Sequence, residues 1–189
     1  MAQLQMILPR RRFNTPLTWT MPAGYALRTY REGDLPAYVE LMRRAGFENW
    51  SEETARHSVA TMHPEGLFFI TDASGALVAT ALAHSAPNEW HPEGGELGWV
   101  GAAPEHRGKG LGYAVCAAAT RRLLEAGHPT IYLLTDDPRL PAIRTYLKLG
   151  FVPFLCLPDM EGRWQAVAKG LGVTLESLEP TTDPAGMNA

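Results

Sequence analysis

The order of patterns along the chain predicts a mixed α/β fold of the α+β kind, with a central, mostly antiparallel sheet flanked by helices. Three observations carry this. One alternating segment is followed by two helical ones and then by short strands joined through turns, and only afterwards do helix and strand alternate. Thr130 to Thr135 is an unbroken strand-type run, the pattern of a central strand buried on both faces. A glycine-rich turn at Gly108–Gly112 leads from a strand straight into an almost wholly apolar helix. The repeated β–α units of a doubly wound sheet are absent.

Residues 1–22 hold three prolines and the basic triplet Arg10-Arg11-Arg12, and alternate only over Leu4-Gln5-Met6-Ile7. They read as an N-terminal arm with at most one short edge strand. Tyr25 to Arg31 alternates as a first strand does. Asp34 is placed to cap a helix that runs to about Ala45 and stops at Gly46. Ser51-Glu52-Glu53-Thr54 opens a second helix ending near His63-Pro64. Leu67–Thr71 and Leu77–His84 are strands joined by the turn Asp72-Ala73-Ser74-Gly75. A polar loop, Pro87 to Gly95, precedes a strand from Glu96 to Ala103 that Pro104 closes.

The helix after the glycine turn runs from about Gly110 to Ala126 and is almost entirely apolar or small from Leu111 to Ala119, so it is buried on several sides. Next come the strand Thr130–Thr135, a helix Pro141–Leu149 stopped by Gly150, a strand Phe151–Leu157 and a last helix over 161–171. Residues 23–178 form the folded domain, and 179–189 read as a mobile C-terminal tail.

A formal charge of −3 and a pI near 6.1 leave no electrostatic footprint for nucleic acid. The most apolar stretch, Leu67 to Ala83, is broken by Asp72, Ser74 and Gly75, a hairpin rather than a membrane span. Cys116 and Cys156 lie in apolar runs and read as buried thiols of a reducing compartment. With no signal-peptide pattern at the start, a cytoplasmic location is expected. The six histidines are scattered and no cysteines are paired, so no metal site is expected.

The glycine turn solves one physical problem. Gly108, Gly110 and Gly112 tolerate positive φ and carry no Cβ, so successive backbone N–H groups can converge on an anion. The helix that follows adds its free N-terminal donors and the positive end of its dipole. Arg107 and Lys109 add counter-charge, and a diphosphate is the natural guest. A Walker loop is ruled out because Ala103 stands where its first glycine belongs and Gly110 follows Lys109. A dinucleotide fingerprint is ruled out by Tyr113 in place of its third glycine.

These residues resemble the signature of the GCN5-related N-acetyltransferase (GNAT) superfamily: Arg or Gln, two residues, Gly, one residue, then Gly or Ala. Arg107, Gly110 and Gly112 satisfy it. A second family block, Ala-x-x-x-Tyr-x-x-x-Gly-Phe, stands here as Ala142, Tyr146, Gly150 and Phe151. The resemblance covers roughly residues 24–156. It implies acetyl-CoA as co-substrate, with no metal. The pantetheine arm would pair with main-chain groups of Val100 and Ala102, and a backbone N–H among Val100, Gly101 and Ala102 would polarise the thioester carbonyl. The pyrophosphate would be wrapped by Gly108, Lys109, Gly110, Leu111 and Gly112, next to Arg107. Where many members carry an Asn, this chain has Arg139, so that cofactor contact is altered or lost.

Acetyl transfer needs a neutral amine, whereas an alkyl amine has a pKa of about 10.4 in water. A base is therefore required. Glu96 is the candidate, sharing by alternation a strand face with Gly98, Val100 and Ala102, with Glu93 and Glu89 in reserve. The family's histone-modifying members also carry a glutamate eleven residues before the signature. Tyr146 is the candidate acid for the departing thiolate, against the alternative of a core aromatic beside Ile143 and Leu149. Asp136 and Asp137 read as turn and cap residues, His106 as a solvated loop histidine, and His84 as a minor candidate for substrate contact.

The acceptor is expected to be a small-molecule or peptide amine, chosen by Ala45–Ser51, which contains Phe47 and Trp50, and by Leu157–Trp164. The usual final hairpin strand is not evident after Asp159, and the edge it leaves has two candidate occupants, the N-terminal arm or the partner subunit of a homodimer. A non-catalytic acyl-CoA-binding or regulatory module on the same fold is the main rival reading, and a general nucleotide-binding domain the second.

Overall fold

The computed structural model describes residues 2–184, so the last part of the expected tail, 185–189, lies outside the described residues. In chain order the elements are β1 (Leu4–Leu8), β2 (Ala26–Thr29), α1 (Leu35–Arg44), α2 (Glu52–Thr61), β3 (Met62–Thr71), β4 (Leu77–Ser85), β5 (Gly94–Ala102), α3 (Leu111–Glu125), β6 (Thr130–Thr135), α4 (Leu140–Leu149), β7 (Val152–Phe154) and α5 (Met160–Leu171). The seven strands follow the order β2-β3-β4-β5-β6-β1-β7. The sheet is mixed: β5 and β6 run parallel, and the other pairings described are antiparallel. That is the fold class the sequence predicts.

The chain divides into two compact units that share β5, with residues 94–96 in one and 97–102 in the other. The unit of residues 17–85 and 97–126 holds β2, α1, α2, β3, β4 and α3. Its core gathers Tyr38, Leu41, Met42, Trp50, Leu67, Phe69 and Leu82. Helix α3 packs on β3 and β4, and α1 on α2 and β4. Ser51 caps α2 as expected, its side chain accepting from the Thr54 N–H at 3.0 Å. Asp34 stands at the N-cap of α1 without capping it. Its carboxylate takes both Arg28 amino groups, at 2.6 and 2.8 Å, and the Arg31 N–H at 2.7 Å. A guanidinium outcompetes a weak neutral donor for a carboxylate. The Asp72 turn closes on its own side chain, Oδ1 accepting from the N–H groups of Ser74 and Ala76. Strand β3 starts at Met62, five residues before the expected point, directly after α2.

The other unit, within the described residues 2–16, 86–96 and 127–184, holds β1, β6, α4, β7 and α5. Its core includes Ile7, Tyr132, Val152 and Phe154. Strand β1 is paired on both sides: Met6 lies opposite Leu133 of β6 and Pro153 of β7. The expected edge strand is therefore an interior one, with Leu4, Met6, Ile7 and Leu8 at most 2 % exposed. After α5 the chain returns to β7 through Thr181, which donates to the Pro153 carbonyl and accepts from the Leu155 N–H at 3.0 and 2.8 Å. Residues 179–184 thus include a buried, backbone-paired residue, Thr181, where a tail was expected.

Among the described residues no helix is long and apolar enough to cross a membrane, and no three His, Cys, Asp or Glu side chains gather in a group that could hold a metal.

Candidate functional site

The glycine turn has the backbone its sequence demands. Gly108 and Gly110 take φ of +76° and +78°, a region that costs an L-residue about 1–2 kcal/mol, and Gly110 forms the N-cap of α3. A Cβ at 108, 110 or 112 would meet no atom within 4 Å. The main-chain N–H groups of Gly108, Lys109, Gly110, Leu111 and Gly112 have no acceptor among the described residues. The first helical bond is Ala114 N–H to the Gly110 carbonyl. A row of donors thus stands open at the positive end of a 15-residue helix.

Local contacts fix the basic residues of the turn. The Lys109 ammonium donates to the Tyr25 hydroxyl at 2.8 Å, and that hydroxyl lies 2.9 Å from His106 Nδ1. His106, expected to be a solvated loop residue, is therefore tied to Tyr25. Arg107 extends toward the Ala45 carbonyl at 3.5 Å. Upstream, Gly101 is buried against Ala45 and Met42, where a Cβ would come within 3.1 and 3.2 Å of them, while Val100 and Ala102 are half-buried. Trp99 interrupts the regular strand with φ +48°, so the strict alternation that groups Glu96 with Val100 and Ala102 is broken between them.

In the other unit, Glu96 lies opposite Tyr132 in the parallel β5–β6 ladder. The Tyr132 hydroxyl is 2.6 Å from the Ala86 carbonyl and 3.3 Å from Glu96 Oε2. Its single proton serves chiefly Ala86, with Glu96 as the longer arm. Burial, reinforced by the Glu96 charge, pushes the Tyr132 phenol well above its ordinary range, so it stays a donor. His91 stacks on Tyr132 with ring centroids 4.4 Å apart, and its Nε2 is 3.3 Å from Gln5 Oε1. Burial lowers the His91 pKa to about 4. Gly94 admits this stack: a Cβ there would fall 2.7 Å from His91 Cβ and 2.9 Å from the Tyr132 ring. Glu89 and Glu93 are exposed, and the Glu93 carbonyl engages His128 Nδ1 at 2.9 Å.

Tyr146 projects from the buried face of α4 with Ile143 and Leu149, is 4 % exposed, and packs edge-on to Phe151. Arg139, at the N-cap of α4, is half-buried. Asp137 pairs with Arg163 at 2.5 and 3.0 Å, and that hydrogen-bonded guanidinium holds its carboxyl below the usual range against the opposing effect of burial. Asp136 accepts from Gln3 at 3.1 Å. His84, one residue before the end of β4, lies opposite Met62.

Sequence reasoning missed Tyr132, His91, Tyr25 and Trp99. Tyr132 sits inside a strand-type run, and only the parallel register, a long-range property, brings it to Glu96.

Residues 35–151 match the Acetyltransferase (GNAT) family, more than half of the chain. A mycothiol acetyltransferase of Pseudarthrobacter chlorophenolicus is 30% identical over 160 residues, covering 79% of this chain and 48% of that protein. One from Thermobispora bispora is 33% identical over 155 residues, covering 74% and 52%. The chain thus spans about half the length of these relatives. Among solved structures, a GCN5-related N-acetyltransferase from Sphaerobacter thermophilus superposes with a TM-score of 0.64 at 22% identity over 81% of this chain and 49% of its own. The ribosomal-protein-S18-alanine N-acetyltransferase of Escherichia coli gives 0.54 at 24% identity over 67% and 76%, so both likenesses are of fold. On the extent of the family match and on these relatives, the chain belongs to the GNAT acetyltransferase family.

Proposed function

We propose that this chain moves an acetyl group from acetyl-CoA to a primary amine by direct attack. The observation that carries the reading is the row of unengaged amides from Gly108 to Gly112 at the start of α3. Donors left open in a left-handed glycine turn suit the pyrophosphate of acetyl-CoA. Arg107 and Lys109 supply counter-charge, and main-chain groups of Val100, Gly101 and Ala102 receive the pantetheine arm and polarise the thioester carbonyl.

In this reading the amine nitrogen attacks the thioester carbonyl, the N–C bond forms, and the C–S bond breaks. Glu96, directly or through water, takes the proton that the amine must lose. Tyr132 steadies the Glu96 carboxylate through its longer hydrogen-bond arm. Tyr146 gives its phenolic proton to the departing thiolate. The relatives named mycothiol acetyltransferases make amines related to mycothiol an early choice of acceptor to assay.

Calorimetric titration with acetyl-CoA, CoA, ATP and NAD, followed by thiol release over a panel of amines, tests the reading. Acetyl-CoA and CoA are expected to bind in preference to both nucleotides, and at least one amine to release thiol. Absence of CoA binding would overturn it, and binding without turnover on any amine would reduce the chain to an acyl-CoA-binding module.

A further inference from the structure

Trp99 combines two unfavourable features, a backbone φ of +48° and, for so large an apolar residue, an exposure of 38 %. A bulky side chain in the left-handed region is an outlier, and such strain persists where the surroundings impose it, often at ligand sites. The surroundings here are aromatic. The Trp99 ring meets Trp50 edge-on with centroids 4.4 Å apart and Phe47 at 6.1 Å, and Phe47 and Trp50 are 6.0 Å apart. Together they wall a recess of about 480 Å³, completed by Glu48, Asn49 and Thr54 and within the size range of small-molecule sites.

Charge decides what the recess suits. Glu48 is exposed on its rim and has no ion pair among the described residues. The neighbouring cations already have partners: Arg43 Nε donates to the Trp50 carbonyl at 3.0 Å, Arg44 pairs with Glu105, and Arg107 reaches the Ala45 carbonyl. Ring faces attract cations, tryptophan most strongly. An acidic rim over aromatic walls therefore favours a positive ligand.

Resting on the acetyl-transfer reading, we propose that this recess holds a cationic group of the acceptor other than the amine that reacts. A ring cage and a carboxylate stabilise an ammonium ion, so a group bound there keeps its proton and cannot be the nucleophile. The acceptor class is then an amine carrying a second positive centre. Trp99 directly precedes Val100, whose main chain the reading assigns to the pantetheine arm, so the recess adjoins that strand.

The test uses the whole chain and two probes of similar shape, tetramethylammonium and neutral 2,2-dimethyl-1-propanol, followed by tryptophan fluorescence. Tetramethylammonium is expected to bind about 2- to 30-fold more tightly than the alcohol. Glu48→Gln, an exposed change, should narrow that gap. Trp99→Gly should abolish it while easing the backbone, and its melting temperature reports folding separately. In turnover, 1,4-diaminobutane should show a lower KM than butylamine. Trp99→Gly should raise the diamine KM by about 2- to 30-fold and leave the KM of acetyl-CoA unchanged. Equal binding of the two probes, no binding of either, or equal KM for the two amines would overturn the proposal. Failure of the acetyl-transfer reading shows instead as lost acetyl-CoA binding in calorimetry, which the probe titration does not involve.

Discussion

At the scale of single residues, Glu96 and Tyr132 are joined by a hydrogen bond. The phenol's short bond to Ala86 fixes its position, and its longer arm at 3.3 Å reaches the carboxylate. If Glu96 receives the amine proton, Glu96→Gln keeps the shape and loses the base. The expected outcome is a fall in kcat of about 10²- to 10⁴-fold with acetyl-CoA affinity unchanged, measured by thiol release and calorimetry. An unchanged kcat would return the base to Glu93 or Glu89. Glu96 is proposed from the sequence because its strand alternation and its resemblance in position to the glutamate of the family's histone-modifying members both single it out. Tyr132 was not legible there, because tyrosine within a strand-type run reads as core, and its role depends on pairing across the parallel ladder. Asp34 teaches the same lesson: its spacing before α1 announces a cap, yet Arg28 from the preceding strand takes the carboxylate.

At the scale of elements, the glycine turn and the start of α3 were readable from the sequence, since glycines and a proline punctuate them, whereas the break at Trp99 inside β5 was not. The turn's three glycines are not equivalent. Gly108 and Gly110 are required by φ, whereas Gly112 lies in the first turn of α3, outside the left-handed set, with nothing within 4 Å of a Cβ. The protein itself therefore tolerates alanine at 112, and any demand for glycine there comes from a ligand. Gly112→Ala should leave the melting temperature unchanged or raise stability by up to about 1 kcal/mol, while acetyl-CoA binding weakens about tenfold or more. Gly110→Ala, by contrast, should destabilise the fold by about 1–2 kcal/mol. Thermal unfolding with and without acetyl-CoA separates the two, and a Gly112→Ala protein with full affinity would show that no phosphate approaches that position. Strand β1 is the opposite case. Five residues bounded by proline carry too little pattern to reveal that both of their edges are paired, one with β6 and one with β7 from the far end of the chain.

For the whole molecule, the readable global property is its response to acid. His91 is fully buried, and burial lowers its pKa from 6.5 to about 4. Between those values the unfolded chain binds a proton that the folded chain refuses, so stability rises with pH across this window and is lost as pH falls from 6.5 toward 4. The full difference amounts to about 3 kcal/mol, at about 1.4 kcal/mol per pH unit. Other groups act lower down. At Asp34 burial pushes the carboxyl up, but the Arg28 guanidinium and the Arg31 amide outweigh it. At Asp137 the Arg163 guanidinium prevails over burial. Both carboxyls end below 3.8, so the stability they contribute is present above that value and lost beneath it. The decline between 6.5 and 4 therefore carries the signature of His91. His91→Phe keeps an aromatic ring on Tyr132 and removes the titrating group. Its stability, followed by urea unfolding at successive pH values, should stay nearly flat across that window while the parent protein weakens. Parallel curves for the two proteins would mean that His91 remains charged in its pocket and that the acid response originates elsewhere.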